Sequence, residues 1–302
     1  MSIRMDGQVA VVTGAGQGLG RAHALALAQR GACVLVNDLA GPNGPSTHAE
    51  AVVAEIRNAG GKAIANGANV AHWDQVQAMV QQALDEWGRV DILVNNAGIL
   101  RDKSFLKMSM EEFRLVIDVH LVGSANCTKA VWETMREAAY GRIVFTSSSS
   151  GLYGNFGQTN YGAAKMAMVG MMNTLHLEGA KYNIHVNCLA PVAGTAMTDG
   201  LFPEPVFKLL KPEAVSQGVL FLCSEQAPSR VVLAAGGGSF AVFKGYETKG
   251  VNLAPDNLSP EGVASAWEQI CDESDMQVPQ AGFEQTEKFA RQAAAKLGLQ
   301  LP

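Results

Sequence analysis

The chain has few cysteines: the five among its 302 residues are scattered as Cys33, Cys127, Cys188, Cys223 and Cys271. Their number is odd, and no two of them form a Cys-x-x-Cys pair. A disulfide framework or a cysteine-based zinc site needs paired or closely spaced cysteines. The pattern therefore argues against both, predicts no metal site, and favours a reducing compartment.

Charge and long apolar runs are also scarce. Charged residues make up 17% of the chain and the net charge is −5, so nothing favours nucleic acid or an anionic membrane as a partner. No apolar run reaches the roughly 18 residues of a membrane-spanning helix. Residues 1–6 lack an apolar signal core, and Leu299–Pro302 is not a peroxisomal address. We therefore expect a cytoplasmic protein.

A glycine-rich turn follows the first apolar segment. Gln8–Val12 is short and rich in β-branched residues, which predicts a buried strand. The sequence Thr13-Gly-Ala-Gly-Gln-Gly-Leu-Gly20 follows, and Leu19–Arg30 is predicted as a helix that ends at Gly31. A strand, a glycine turn and a helix in this order place backbone N–H groups against a pyrophosphate. A plain turn has similar glycines, so the loop alone does not decide between the two.

The second predicted strand, Ala32–Asp38, ends in a carboxylate. Asp38 lies 18 residues after Gly20, where an acid accepts hydrogen bonds from the hydroxyls of an adenosine ribose. Its charge would repel a 2′-phosphate, and no Arg or Lys follows Gly14 or Asp38 to offset it. We therefore predict NAD rather than NADP. The alternative is that Asp38 only caps the loop at residues 41–45.

Strands and helices continue to alternate along the chain, which is typical of a doubly wound, parallel α/β sheet of the Rossmann type. We expect a nucleotide-binding and catalytic domain over residues 1–238. Residues 239–302 are expected to form a helical extension that packs on the same domain or on a partner subunit. The predicted helices are Ala49–Asn58 and His72–Trp87, and the predicted strands are Lys62–Ala65, Val90–Val94, Ile143–Thr146 and, last, Val231–Ala235.

Tyr161 and Lys165 lie four residues apart in a segment whose composition predicts a helix, so they share one face. A free phenol has a pKa of about 10, and an ammonium about 4 Å away supplies the roughly 4 kcal/mol that would bring it near 7. Tyr161 is thus a candidate acid–base group, with Lys165 lowering its pKa. The alternative is a core tyrosine that happens to precede a solvated lysine.

Together, several motifs resemble the short-chain dehydrogenase/reductase family: the glycine loop, Asp38, Asn95-Asn-Ala-Gly98, and the Tyr161/Lys165 pair with a serine 13 residues upstream. The resemblance implies a sheet of about seven strands and a reversible, NAD(P)-dependent oxidation of a secondary alcohol. It makes Ser148 the catalytic serine, with Ser150 as the runner-up in a run of four serines. The cofactor contacts that we expect are Gly14, Gln17, Gly18, Leu19, Gly20, Asp38, Asn69, Val70, Asn96, Ala97, Gly98, Tyr161, Lys165, Ala193, Gly194 and Thr195.

The chain departs from the family pattern at His120, where an asparagine that holds a water is usual. A histidine there either holds that water, titrates near neutral pH, or makes only a structural bond. We include His120 among the catalytic candidates. Four segments also resemble one branch of the family, the (3R)-hydroxyacyl-CoA dehydrogenase part of peroxisomal multifunctional enzymes and its bacterial relatives. They are Asn37–Leu39, Ile99–Phe105, Asp118–Leu121 and Tyr153–Gln158.

The expected substrate is therefore the 3-hydroxyl of a (3R)-hydroxyacyl-CoA. The alternatives are a hydroxysteroid dehydrogenase, a 3-oxoacyl-carrier-protein reductase, against which Asp38 counts, and an NAD-sensing regulator without catalysis. The helix after Tyr161 is small or apolar on several faces, which predicts a homodimer or homotetramer. Candidates for an apolar acyl wall, or for ordinary core, are Leu152, Tyr153, Phe156, Met197, Leu201 and Phe202. Basic candidates at its entrance are Arg101, Lys103, Lys107, Lys208 and Lys211.

Overall fold

The computed structural model of the protein describes residues 2–41, 46–198, 200 and 203–299. The chain forms two compact units, Met1–Val242 and Phe243–Pro302. Across the described ranges, no helix is both long and apolar enough to cross a membrane.

The first unit is built on one sheet, in the order β3-β2-β1-β4-β5-β6-β7-β8. The pairings among its first seven strands are parallel, and Ala10 lies opposite Val34 on one side and Ile92 on the other. This confirms the predicted Rossmann-type fold. The strands are β1 (Val9–Val12), β2 (Cys33–Asn37), β3 (Lys62–Asn66), β4 (Ile92–Asn95), β5 (Gly141–Thr146), β6 (Ile184–Val192), β7 (Val232–Gly236) and β8 (Ser239–Phe243).

The eighth strand is one more than the roughly seven that we expected, and Val231–Ala235 is therefore not the last. Only Gly237 and Gly238 separate β7 from β8. A two-residue connection joins antiparallel neighbours, because parallel strands need a long crossover. The side chains of β8 are largely exposed, so the strand has no buried apolar run that would reveal it in the sequence.

Helices alternate with the strands, close to the predicted bounds. Ser46 caps the second helix, and Ser109 and Glu112 form a capping box at the start of the fourth. A five-residue π-helical segment, Asp118–Val122, joins the fourth helix to the fifth. The helices of the first unit are α1 (Gly18–Gln29), α2 (Thr47–Asn58), α3 (Trp73–Trp87), α4 (Met110–Ile117), α5 (Gly123–Glu137), α6 (Ser149–Tyr153), α7 (Thr159–Gly179), α8 (Glu204–Leu209) and α9 (Pro212–Leu222).

The described part of the second unit contains the α-helices α10 (Pro260–Ser265), α11 (Trp267–Ile270) and α12 (Gly282–Leu297). Val263, Ala266, Trp267 and Ile270 have the spacing of one helical stripe, but the structure divides them between two short helices. Glu247 bridges to Gln277 through the backbone, and its side chain forms an ion pair with Lys288 of α12. Gly298 ends α12 in a left-handed conformation.

The carboxyl ends of strands β1 to β6 all meet at one edge of the sheet because these strands run parallel. The order of the sheet reverses between β1 and β4, and open α/β sheets bind ligands at such a switch point. Most of the predicted site residues directly follow these strand ends, and the fold therefore gathers them at one edge.

Candidate active site

The glycine loop after β1 packs tightly against the end of β4. A Cβ atom at Gly20 would lie 2.2 Å from the carbonyl oxygen of Gly14 and 2.5 Å from Nδ2 of Asn96. That amide nitrogen donates hydrogen bonds of 3.0 Å to the carbonyl oxygens of Thr13 and Gly14. A Cβ at Gly14 would in turn lie 2.7 Å from Cα of Ala97. Asn96 and Ala97 thus shape the loop as well as lining the edge.

The loop leads into the N-terminus of α1. Gln17 is the N-cap residue, and its exposed side chain makes no capping hydrogen bond with any described residue. The N–H groups of a helix's first turn have no partner within the helix, so Gly18, Leu19 and Gly20 present free donors. Donors at a helix N-terminus bind phosphate groups.

Asp38 follows β2 and lies against the same loop. A Cβ at Gly16 would lie 2.1 Å from Oδ2 of Asp38, so only glycine permits this approach. Ser46 donates a hydrogen bond of 3.3 Å to the same oxygen while it caps α2. Asp38 is therefore held beside the loop. The alternative that it caps residues 41–45 concerns a segment of which 42–45 lie outside the described residues. Glycines that admit a close ligand, free helix donors and a placed carboxylate fit a dinucleotide cofactor.

Asn69 and Val70 lie beyond β3 and contact the neighbouring helices. The backbone N–H of Asn69 donates to Gln75 of α3 at 2.8 Å, and the carbonyl of Val70 accepts from Asn126 of α5 at 3.0 Å. Val70 is buried against Gly123, where a Cβ would lie 2.6 Å from its Cγ2.

The segment after β6 reaches the glycine loop from the other side. A Cβ at Gly18 would lie 3.4 Å from Cγ2 of Thr195. Gly194 donates a backbone hydrogen bond of 2.6 Å to Leu210 and packs on Phe207 of α8. Ala193 is buried, and its carbonyl accepts from Thr198 at 2.8 Å. The structure thus brings this segment and the loop together, with α8 behind them.

Ser148, Tyr161 and Lys165 converge after β5. Ser148 caps α6 in extended backbone, and its side chain is hydrogen-bonded to the phenol of Tyr161. Nζ of Lys165 lies 5.3 Å from the centroid of the Tyr161 ring and donates a 2.6 Å hydrogen bond to the carbonyl of Thr146. Ser150, two residues further along in α6, donates its N–H to Oγ of Ser148, and its carbonyl accepts from Gly154. This arrangement favours Ser148 over Ser150.

The electrostatics of the pair differ from our expectation. Burial raises the pKa of Tyr161, the Ser148 hydrogen bond opposes this rise, and the charge of Asp102 adds to it. Burial also lowers the pKa of Lys165 to about 7. The prediction that Lys165 lowers the pKa of Tyr161 is therefore wrong for the protein alone. Removal from water disfavours the charged form of both groups. This effect exceeds the attraction that a phenolate and an ammonium at this separation would gain.

His120 lies in the π-helical segment and contacts Tyr161 edge to face, with ring centroids 5.2 Å apart. Its Nε2 lies 3.0 Å from the amide nitrogen and 2.8 Å from the carbonyl oxygen of Ile99, so either neutral tautomer makes one bond there. Burial, with a smaller contribution from Lys165, lowers its pKa to about 3. The interpretation that His120 titrates near neutral pH is therefore wrong.

The same histidine explains the glycine of the Asn-Asn-Ala-Gly motif. A Cβ at Gly98 would lie 2.2 Å from Cε1 of His120. Nδ1 of His120 is buried and has no hydrogen-bond partner among the described residues. Gly98 thus supports the catalytic groups through His120.

Sequence inspection missed three residues that hold the site together. Gly16 admits Asp38, the hydroxyl of Thr13 accepts from the N–H groups of Asn96 and Ala97 at 3.0 and 3.1 Å, and Thr146 accepts from Lys165. Thr13 and Gly16 belong to the glycine-rich motif, but the cofactor contacts predicted from it are at Gly14 and at residues 17–20. No cluster of three or more possible metal ligands occurs in the part of the chain that the structure describes.

The glycine loop, the N-terminus of α1 and Asp38 together form what we call the dinucleotide cradle. This cradle, the Rossmann-type sheet and the Ser-Tyr-Lys cluster define an oxidoreductase that acts on hydroxyl or keto groups. The family model described as short chain dehydrogenase matches residues 8–205. The chain belongs to this family.

Two proteins are similar to this chain over most of its length. The peroxisomal multifunctional enzyme type 2 of Mus musculus is 48% identical over 300 residues, which cover 94% of this chain and 39% of the mouse protein. A short-chain type dehydrogenase/reductase of Mycobacterium tuberculosis is 48% identical over 281 residues, which cover 91% of this chain and 97% of that protein. The chain thus spans about two fifths of the first relative and almost all of the second.

A solved structure extends the likeness. A 7α-hydroxysteroid dehydrogenase in complex with NADH and 7-oxo glycochenodeoxycholic acid has a TM-score of 0.71 and 31% sequence identity. The match covers 78% of this chain and 95% of that one.

Proposed function

We propose that the protein is an NAD-dependent dehydrogenase that oxidises the 3-hydroxyl of a (3R)-hydroxyacyl-CoA to the ketone, reversibly. The observation that carries the proposal is the half-buried Tyr161, whose phenol is hydrogen-bonded to Ser148 and whose ring lies 5.3 Å from Nζ of Lys165, at the same sheet edge as the dinucleotide cradle. The similarity to a multifunctional enzyme type 2 supports the acyl-CoA substrate.

The cradle explains how the cofactor would be held. Asp38 accepts from the adenosine ribose hydroxyls, and the first-turn N–H groups of α1 bind the pyrophosphate. The negative charge of Asp38 favours NAD over NADP, and the similarity to an NADH-bound dehydrogenase supports this choice. NAD, when bound, accepts the hydride and brings a positive charge into the site.

The remaining chemistry belongs to the chain itself. Tyr161 takes the proton of the substrate hydroxyl as a general base, and Ser148 donates a hydrogen bond to the same oxygen. Protonated Lys165 favours the phenolate because an opposite charge within about 6 Å stabilises it. His120 stays neutral and keeps the phenol in place by its edge-to-face contact.

The surroundings of Tyr161 suit an acyl-CoA. Tyr153 is 74% and Phe156 90% exposed, so neither is ordinary core. These side chains offer apolar surface to an acyl chain, and the exposed Arg101 and Lys107 offer charge to phosphates. Lys103 and Lys208 are paired with Glu112 and Glu204. Of the other candidates for the wall, Leu152 is half-buried and Met197 exposed, and Leu201 and Phe202 lie outside the described residues.

We further propose a homodimer or homotetramer. Met166 and Leu177 of α7 are about half exposed, which leaves apolar surface for a second subunit. The division into a catalytic domain over residues 1–238 and an extension over 239–302 that packs on it or on a partner subunit also remains a proposal, as does a cytoplasmic location. The relatives include a peroxisomal enzyme.

Replacing Tyr161 by phenylalanine tests the assigned chemistry. Loss of the only proton-transferring hydroxyl that we assign should lower kcat by about 10²–10⁴-fold. NAD binding, measured by calorimetry, should remain nearly intact, because the ring still fills its place beside His120. Tyr182→Phe is the matched control and should match the wild type in both measurements. Loss of NAD binding in Tyr161→Phe, or retained turnover, would contradict the proposal.

A further inference from the structure

A short segment after β4, residues 101–103, is fastened to the start of the helix that carries Tyr161. Nδ2 of Asn160 donates to the carbonyl of Arg101 at 3.2 Å, and the N–H of Lys103 donates to the carbonyl of Gly157 at 2.9 Å. Between them, Nε2 of Gln158 donates to Oδ2 of Asp102 at 2.6 Å. We call residues 101–103 the strap.

The strap is therefore fixed relative to Tyr161. Asn160 is fully buried and precedes Tyr161 directly, and its Oδ1 accepts from the N–H of Tyr161 at 2.7 Å. The other end of the same loop meets His120 through Ile99. Asp102 is exposed, and hydrogen bonds hold the backbone of its two neighbours, Arg101 and Lys103, against the start of α7.

We propose that Asp102 is a positioning residue for the reaction: Gln158, one helical turn before Tyr161, holds its carboxylate beside the start of α7, on the side of the phenol. The inference rests on the proposed role of Tyr161 as the base. In the sequence, Asp102 belongs to the segment Ile99–Phe105, which resembles one branch of the family, but that resemblance gives Asp102 no role of its own.

The charges around the phenol support this role. Asp102 raises the pKa of Tyr161, although burial is the larger cause. The other groups that face the ring are Lys165, His120, which is neutral, and the hydroxyl of Ser148. The basic neighbours of Asp102 bind elsewhere: Arg101 donates to the carbonyl of Leu100 at 2.6 Å, and Lys103 pairs with Glu112 at 2.5 Å.

The test is the substitution Asp102→Asn, which removes the charge but keeps an oxygen for Gln158. The chain offers a matched control in Asp85→Asn, because Asp85 of α3 also accepts from a glutamine, Gln81, at 2.8 Å. The protein is labelled with 3-fluorotyrosine, whose phenol titrates at a lower pH. Its five tyrosines give separate ¹⁹F signals, and the signal lost in Tyr161→Phe identifies Tyr161.

We expect Asp102→Asn to lower the pH midpoint of the Tyr161 signal by about 0.3–1 unit at low salt, as one charge several ångströms away predicts. The shift should shrink near 1 M salt, where the screening length is only about 3 Å. Asp85→Asn should leave the midpoint unchanged. An unchanged midpoint in Asp102→Asn, or equal shifts in both variants, would overturn the inference, because a purely structural role of Asp102 moves neither.

The same variants separate failure of the inference from failure of the proposed function. With (3R)-3-hydroxybutyryl-CoA and NAD, the acid limb of the pH–rate profile should move down with the NMR midpoint. If Tyr161→Phe keeps full turnover, the proposed function fails, and the ¹⁹F titration still decides on Asp102. If Tyr161→Phe is inactive and neither midpoint moves in Asp102→Asn, only the inference fails.

Discussion

At the scale of single residues, burial in the site disfavours the charged form of Tyr161, Lys165 and His120. The pKa of Tyr161 is raised, that of Lys165 is lowered to about 7, and that of His120 is lowered to about 3. A charge that enters the site therefore meets Lys165, which is close to a change of protonation, and Tyr161 and His120, which are neutral. Tyr161 is therefore neutral in the protein alone, and a cation that binds beside it would favour the phenolate by lowering its pKa.

Two buried histidines give a prediction about acid stability. Burial lowers the pKa of His23, like that of His120, to about 3, whereas the unfolded chain has about 6.5. Between these values the unfolded state binds protons that the folded state excludes. Each histidine should therefore cost up to about 1.4 kcal/mol of stability per pH unit as pH falls below about 6.5.

Urea unfolding of the wild type and of His23→Gln at pH 7 and pH 5 measures this effect. The loss of unfolding free energy between the two pH values should be smaller in the variant by about 2 kcal/mol. His120→Gln should behave alike. Identical losses in the wild type and both variants would show that these histidines are charged in the folded protein.

At the scale of elements, the π-helical segment Asp118–Val122 determines how His120 meets the loop after β4. Segments with i→i+5 hydrogen bonds are rare and often occur at functional sites. Here the segment aims a buried ring at Gly98 on one side and Tyr161 on the other. The fit leaves no room for a side chain at Gly98.

Gly98→Ala should therefore displace His120 and disturb Tyr161. We expect a destabilisation of about 1–3 kcal/mol, as for overpacking of a core, together with reduced turnover. Thermal unfolding and initial rates measure the two effects. Gly170→Ala on α7, where a Cβ meets no atom within 4 Å, is the control and should be neutral or slightly stabilising. Equal behaviour of the two variants would refute this role of His120.

The elements also show what could be predicted from sequence. Alternating apolar runs and glycine turns predict β1, α1, β2 and a parallel, doubly wound sheet, because buried parallel strands have a continuous apolar signal. β8 has no such signal, since its side chains are largely exposed. The π-helical segment also has none, because its sequence continues the helical pattern on both sides.

The same distinction applies to the candidate site. Tyr161 and Lys165 were identifiable because their interaction is local to one helix turn. The support given by Gly16 to Asp38, or by Gly98 to His120, joins residues 22 positions apart in both cases, and only the fold shows such contacts. The sign of the pKa change at Tyr161 depended on burial, which spacing along a helix does not reveal.

At the scale of the whole molecule, the chain is a short-chain dehydrogenase that spans 97% of a mycobacterial relative but 39% of a multifunctional mouse enzyme. The chain forms two compact units, and the first of them ends at Val242. We propose that this chain by itself oxidises an R-configured hydroxyacyl-CoA with NAD.

The most direct test follows the formation of NADH by the purified protein with (3R)- and with (3S)-hydroxyacyl-CoA. Two further comparisons replace NAD by NADP and the acyl-CoA by a hydroxysteroid. The account predicts turnover of the R substrate with NAD at a kcat/KM at least about 100-fold above that of the S substrate or of NADP, equivalent to roughly 2.7 kcal/mol. Turnover of the steroid alone would contradict the acyl-CoA assignment. Binding of NAD without turnover of any alcohol would contradict the enzyme itself and favour a sensor.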